Sequence, residues 1–281
     1  MILSGKELSN ILRTNMLEEV NEIKEKYGRA PHLVVILVGD DPASQSYVKG
    51  KSKACDEVGI TNTTVHLPKD VSENELLRKI VELNEMACVD GILVQLPLPE
   101  HINQHIVMNT IHPDKDVDGF HPVNVDGLYS GKNCIKPCTP KGIIKLLESA
   151  DVEIEGKNVV VIGRSNIVGL PVAKMLIDKN ATVTICHSRT KNLSEITKNA
   201  DILIVAIGKP KFITKDMVKA ESVVIDVGVN RVDGKLYGDV DYENVKDKVS
   251  VITPVPGGVG PMTITCLLEN TIECVKNKMN D

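Results

Sequence analysis

Short, uninterrupted apolar runs alternate with longer stretches of helical period along most of the chain, and that alternation restricts the fold class more than any other feature. His32 to Val38, Gly91 to Leu96, Asn158 to Ile162, Ala181 to Cys186, Ile202 to Ala206 and Ser222 to Val227 are such runs, rich in Val, Ile and Leu. A strand with one wet face alternates polar and apolar residues. A strand covered on both faces does not, so continuous runs mark parallel strands with helices packed on each side. A more polar strand is read at Asn62 to Leu67 and a last short one at Val249 to Ile252. Between them lie helices. Leu8 to Lys26 places Leu8, Ile11, Leu12, Met16, Val20 and Ile23 near a 3.6-residue period, and Ser72 with Glu75 forms a capping box for Glu73 to Met86. The expected class is α/β, with parallel sheets and right-handed crossovers.

At 281 residues the chain exceeds the usual single domain, so two are expected. A fresh α/β unit begins at Lys157, and the polar loop Pro113 to Phe120, with its Asp118-Gly119 turn, reads as the passage between domains. The net charge of −5 and the absence of Trp, with aromatic residues at 2%, argue against nucleic acid as a partner. No apolar run approaches the ~20 residues of a membrane span, and the first residues lack the apolar stretch of a signal peptide. The seven cysteines are scattered without zinc-type spacing, and His101 with His105 lacks the Glu of a HExxH site. Reduced thiols, a cytoplasmic setting and no resident metal are the expectations.

One residue does not fit its element. Pro42 to Val58 reads as a helix capped by Asp41 and stopped by Gly59, with apolar Tyr47, Val48, Ala54, Cys55 and Val58 on one face. Lys51 fills a gap in that face, four residues after Tyr47. It is either a lysine that snorkels along its methylenes or an ammonium kept inside by partners. Gln95 at a strand end and Asp118 at the domain passage are positions that can converge on it, to give a lysine suited to proton transfer. Each also has a purely structural reading, as a strand-end amide and an Asp-Gly turn. The second unit opens with a strand, then Gly163-Arg164-Ser165-Asn166-Ile167-Val168-Gly169, then a helix. Such a turn presents free N–H groups and the helix dipole to a phosphate, although Ser165 stands where a G-x-G-x-x-G motif has its middle glycine. The next strand ends in His187-Ser188-Arg189, with no acidic residue to hold a ribose 2′-hydroxyl. Arg164, Arg189 and a serine hydroxyl suit a 2′-phosphate, hence NADP.

These motifs, together with Val94-Gln95-Leu96-Pro97-Leu98-Pro99, Lys115-Asp116-Val117-Asp118-Gly119, Pro137-Cys138-Thr139-Pro140 and the long run Thr253 to Thr263, resemble the bifunctional methylenetetrahydrofolate dehydrogenase/methenyltetrahydrofolate cyclohydrolase family. The resemblance implies two α/β domains with a cleft between them. It assigns residues 1–118 plus 264–281 to a folate-binding catalytic domain and 119–263 to a Rossmann NADP-binding domain. It implies oxidation of 5,10-methylenetetrahydrofolate by NADP⁺, then hydrolysis to 10-formyltetrahydrofolate. By the same resemblance Lys51 manages the proton of the hydrolytic step, Tyr47 borders the folate, Gln95 tunes the lysine and Asp118 anchors the pterin ring. Gly163, Arg164, Ser165, Ser188 and Val229 hold NADP, Pro256, Gly257 and Gly258 border the folate, and the protein is a homodimer. Rival readings are a dehydrogenase without cyclohydrolase activity, one preferring NAD, and a non-catalytic nucleotide-sensing module.

Overall fold

The computed structural model describes residues 1–280, with side chains through Lys278. In chain order the elements are α1 (Gly5–Tyr27), β1 (His32–Val38), α2 (Pro42–Val58), β2 (Thr61–Leu67), α3 (Glu73–Glu85), β3 (Gly91–Val94), α4 (Gln104–Thr110), α5 (Pro122–Ser130) and α6 (Cys138–Ser149). They continue with β4 (Asn158–Ile162), α7 (Gly169–Ile177), β5 (Thr182–Cys186), α8 (Leu193–Thr197), β6 (Ile202–Val205), β7 (Val223–Asp226), β8 (Asn230–Val232), β9 (Lys235–Tyr237), α9 (Tyr242–Val245), β10 (Val251–Ile252) and α10 (Val259–Asn280). No helix among the described residues is long and apolar enough to cross a membrane.

The chain divides into two compact units, one of Ile11–Cys138 with the segment from Ile264 onward, the other of Met1–Asn10 with Thr139–Thr263. This division lies past the expected cut after 118. The reason is packing: Ile135 and Cys138 are buried in the same core as Val20, Leu33 and Leu267. Helix α5 has no clear periodic signal in the sequence, because Pro122 and Gly127 interrupt its pattern. Pro122 stands at the first turn, where its missing N–H costs nothing, and Gly131 ends the helix in the left-handed conformation. Helix α10 begins at Val259, with Pro261 in its first turn.

In the unit of residues 11–138 the sheet order is β2-β1-β3, all parallel. Strand β1 is central and feeds two cores. Leu33, Val35 and Leu37 pack with Val20, Val48, Cys55 and Leu267, whereas Val34, Ile36 and Val38 pack with Leu76, Ile80 and Val107. That two-sided burial is why the run is apolar without a break. Burying each such side chain contributes roughly 1.5–3 kcal/mol. Beyond β3 the chain returns as a parallel bridge between Ile92 and Asp116. Gly91 permits this approach, since a Cβ there would lie 2.4 Å from Val117 Cγ1. Residues two or three positions past that bridge, Gln95 and Asp118, are thereby carried toward the same end of the sheet.

The other unit has a five-stranded parallel sheet in the order β10-β7-β6-β4-β5. From β4 the chain goes first to one side, β5, and then crosses to the other, β6. The carboxyl end of β4 is therefore a topological switch point, where open α/β sheets receive ligands. Strands β8 and β9 form an antiparallel hairpin outside this sheet. It is too short and polar to stand out in the sequence.

Candidate functional site

Helix α2 is set by its ends. Asp41 accepts from the Ser44 N–H, Pro42 opens the first turn, and Gly59 closes the helix at φ 74°. This fixes which face Lys51 presents. Its Nζ donates to Gln95 Oε1 at 2.9 Å, and Gln95 Nε2 donates to the Leu96 carbonyl at 2.6 Å, which pins the amide. Burial holds the Lys51 pKa below the lysine range, opposed by the nearby charge of Asp118. Burial also raises the Asp118 carboxyl to about 6, opposed first by the attraction of Lys51. Lys51, Gln95 and Asp118, drawn from a helix, a strand end and a loop, thus share one environment. Tyr47 lies one turn before Lys51 and is 47% exposed, so it is not buried with Val48, Ala54, Cys55 and Val58, contrary to what the apolar spacing suggests.

The loop that carries Asp118 is held by its neighbours. Lys115 is buried, and its Nζ donates to the carbonyls of Leu83 (3.0 Å), Asn84 (2.6 Å) and Met86 (2.8 Å), capping the C-terminus of α3. Asp116 is buried too, accepting from the N–H groups of Gly119 and His121 and from Asn124 Nδ2. One residue of this site escaped the sequence reading. The Cys138 thiol is buried, donates to the Val117 carbonyl at 3.2 Å, and lowers the Asp118 pKa by its proximity. Its only sequence signal is its place in Pro137-Cys138-Thr139-Pro140.

In the second unit, Gly163 sits at φ 119°, and a Cβ there would lie 2.2 Å from the Ala206 carbonyl oxygen. A Cβ at Gly169 would lie 2.3 Å from the Gly163 carbonyl oxygen. The turn therefore packs backbone on backbone at the switch point. Ser165 Oγ accepts from the N–H groups of Val168 (3.2 Å) and Gly169 (3.4 Å), so this serine caps α7 in place of a glycine approach. Arg164, Ser188 and Arg189 are exposed. Neither arginine has an ion-pair partner among the described residues. Val229 is exposed in the loop after β7. Pro256 is exposed, Gly257 lies at φ 104°, and its carbonyl accepts from the Lys6 N–H at 2.9 Å. A Cβ at Gly258 would lie 2.6 Å from the Pro254 carbonyl oxygen.

A parallel sheet with a glycine turn at its switch point, alongside a second parallel α/β unit bearing a lysine–glutamine–aspartate cluster, defines a two-domain dinucleotide-dependent α/β enzyme. The chain belongs to the tetrahydrofolate dehydrogenase/cyclohydrolase family. The catalytic-domain profile of that family matches residues 3–118 and its NAD(P)-binding-domain profile matches residues 137–279. Over 281 residues it is 57% identical to the bifunctional protein FolD of Oceanobacillus iheyensis, covering 100% of this chain and 98% of that protein. Among solved structures, the bifunctional FolD methylenetetrahydrofolate dehydrogenase/cyclohydrolase of Campylobacter jejuni is 51% identical, with a TM-score of 0.97 over 99% of both chains. The dehydrogenase-cyclohydrolase of Trypanosoma brucei, solved with NADP cofactor and an inhibitor, is 38% identical, with a TM-score of 0.96 over 100% of this chain and 99% of that one. Family membership makes this chain an NAD(P)-dependent enzyme of folate one-carbon metabolism.

Proposed function

We propose that this chain oxidises 5,10-methylenetetrahydrofolate to the 5,10-methenyl cation with NADP⁺ and hydrolyses that cation to 10-formyltetrahydrofolate. The observation that carries the reading is the 2.9 Å Lys51–Gln95 bond beside Asp118, in a chain that also holds a glycine turn at a sheet switch point. When bound, NADP⁺ supplies the hydride acceptor of the first reaction, which asks for alignment and no acid or base at the carbon. The turn at Gly163, with Arg164, Ser165, Ser188, Arg189 and Val229, is the proposed dinucleotide contact set. Arg164 and Arg189 favour the 2′-phosphate.

Hydrolysis makes a harder demand. Water adds to a cationic amidinium carbon, a proton must leave that water, and a C–N bond must then break. Burial lowers the Lys51 pKa, so this lysine gives up its own proton more readily than an exposed one and, in its neutral form, takes the proton of the attacking water. A carboxylate at Asp118 accepts the paired N–H donors of a pterin ring and offsets the positive charge of substrate. Tyr47 stacks against the folate, and Pro256, Gly257 and Gly258 border it. The protein acts in the cytoplasm as a homodimer. Purified protein given methylenetetrahydrofolate and NADP⁺ is expected to form the methenyl chromophore, and absence of that signal defeats the dehydrogenase reading. Lys51→Met is expected to slow hydrolysis of preformed methenyltetrahydrofolate by about a hundredfold or more. Hydrolysis at the wild-type rate would remove the lysine from the mechanism.

A further inference from the structure

A buried carboxylate outside the catalytic cluster organises the carboxyl ends of two strands. Asp239, just after β9, has no exposed surface. Its Oδ2 accepts from the N–H groups of Ile207 (2.7 Å) and Gly208 (2.9 Å). Its Oδ1 accepts from the N–H of Lys209 (2.7 Å) and from Asn230 Nδ2 (2.9 Å). Three successive N–H groups around one anion form a nest, the arrangement that elsewhere binds phosphate. Here the protein's own side chain fills it. Gly228 is fitted against the same carboxylate, since a Cβ there would lie 2.2 Å from Asp239 Oδ1. Asp226 closes the arrangement by accepting from the N–H groups of Gly228 (3.0 Å), Asp239 (2.9 Å) and Val240 (2.9 Å).

Residues 207–209 follow β6, and residues 228–230 lead from β7 into β8. Ala206, at the start of the first loop, is the residue whose carbonyl abuts the Gly163 turn. One carboxylate therefore ties together the loop beside the glycine turn and the loop that carries Val229. We infer that Asp239 is a positioning residue for the dinucleotide site, setting NADP affinity through the 206–209 and 228–230 loops without touching the nucleotide. It rests on the reading of this unit as the NADP site.

Two variants and a small anion test it. Asp239→Asn keeps the shape but turns an NH₂ group toward N–H donors. Asp239→Ala removes a formate-sized anion and leaves the nest. In each, the Kd for NADPH, read from the nucleotide's own fluorescence, is expected to rise about tenfold or more, as loss of charge-assisted hydrogen bonds implies. The KM for NADP⁺ rises with it, kcat falls less than KM rises, and amides 207–209 exchange faster with deuterium. Formate, with chloride as the ionic-strength control, is expected to restore affinity to Asp239→Ala and not to Asp239→Asn. A cooperative urea transition and the circular dichroism spectrum report whether the unit that carries Asp239 is folded in each variant, and hydrolysis of preformed methenyltetrahydrofolate, which needs no dinucleotide, reports on the other unit. If the wild-type protein fails to bind NADPH, the reading of the unit is wrong. If the wild-type protein binds and folded Asp239→Ala binds equally well, or loses affinity that formate does not recover, the positioning role is wrong and the reading of the unit stands.

Discussion

Asp118 and Lys51 titrate against each other, and the direction of each follows from burial. The carboxyl of Asp118 stands at about 6, above its ordinary value, so the folded protein keeps a proton there that the unfolded chain has already released. Its contribution to stability is therefore largest at low pH and is lost as pH rises through about 6. In the proposed function its contribution to chemistry has the opposite sense, since only the carboxylate accepts the N–H donors of a pterin. Hydrolysis is expected to fall on the acid side as pH drops through about 6. Asp118→Asn should remove that limb and raise the KM for folate by about tenfold, the scale of a lost charged hydrogen bond. A pH profile of methenyltetrahydrofolate hydrolysis by both proteins checks this, and an unchanged acid limb in the variant would assign it to another group. At this scale the sequence is uneven. Lys51 stands out because a charge interrupts an apolar face, a one-dimensional signal. Cys138 and Asp239 do not, because their importance comes from what distant segments bring to them.

Helix α3 shows how one element sets the loop that carries Asp118. Its N-terminus is fixed by Ser72, whose hydroxyl accepts from the Glu75 N–H. Its C-terminus has no glycine stop, and Met86 at the cap is extended. The last carbonyls are met instead by Lys115, three residues before Asp118. Lys115→Met would leave those acceptors without a donor and is expected to cost about 2–5 kcal/mol, given ~1–3 kcal/mol per unsatisfied buried group. Urea unfolding would measure that loss. The same variant should hydrolyse methenyltetrahydrofolate more slowly, because the Asp118 loop loses its anchor. The N-terminal cap of α3 is legible as Ser-x-x-Glu, whereas the C-terminal cap is a long-range pairing that no local pattern announces. The same contrast explains why the strands of both sheets are plain in the sequence and α5 and the β8–β9 hairpin are not. Strand β1 carries its burial in every residue, while α5 is held by contacts such as Asn124 with Asp116 and the Pro113 carbonyl.

For the whole chain, the proposed function has each of the two units answer to its own ligand. NADP⁺ at about a hundred times its Kd is expected to stabilise the unit that binds it by about 2.7 kcal/mol. Hydrogen exchange should show that protection around residues 162–170, 186–190, 206–209 and 227–230. Protection confined to residues 11–138 would place the nucleotide in the wrong unit. The class of the fold is legible from alternation alone, because two-sided burial of parallel strands writes itself as continuous apolar runs. The partition is less so: residues 119–138 hold no continuous apolar run, are broken by Gly and Pro, and join the first unit through buried side chains, Ile135 and Cys138 among them.

The amide that meets Lys51 has one more property. Gln95 turns its oxygen to the lysine because its nitrogen is committed to the Leu96 carbonyl. An oxygen acceptor can be met by an ammonium or by a neutral amine alike, since both carry N–H. In the proposed hydrolysis the lysine then gains and loses its proton without changing partner or position, and the scaffold around it has nothing to rearrange between the two halves of a turnover. A carboxylate in place of that amide would favour the charged form and hold the proton there. The neutral side chain leaves the lysine free to return to its starting state at the end of every cycle.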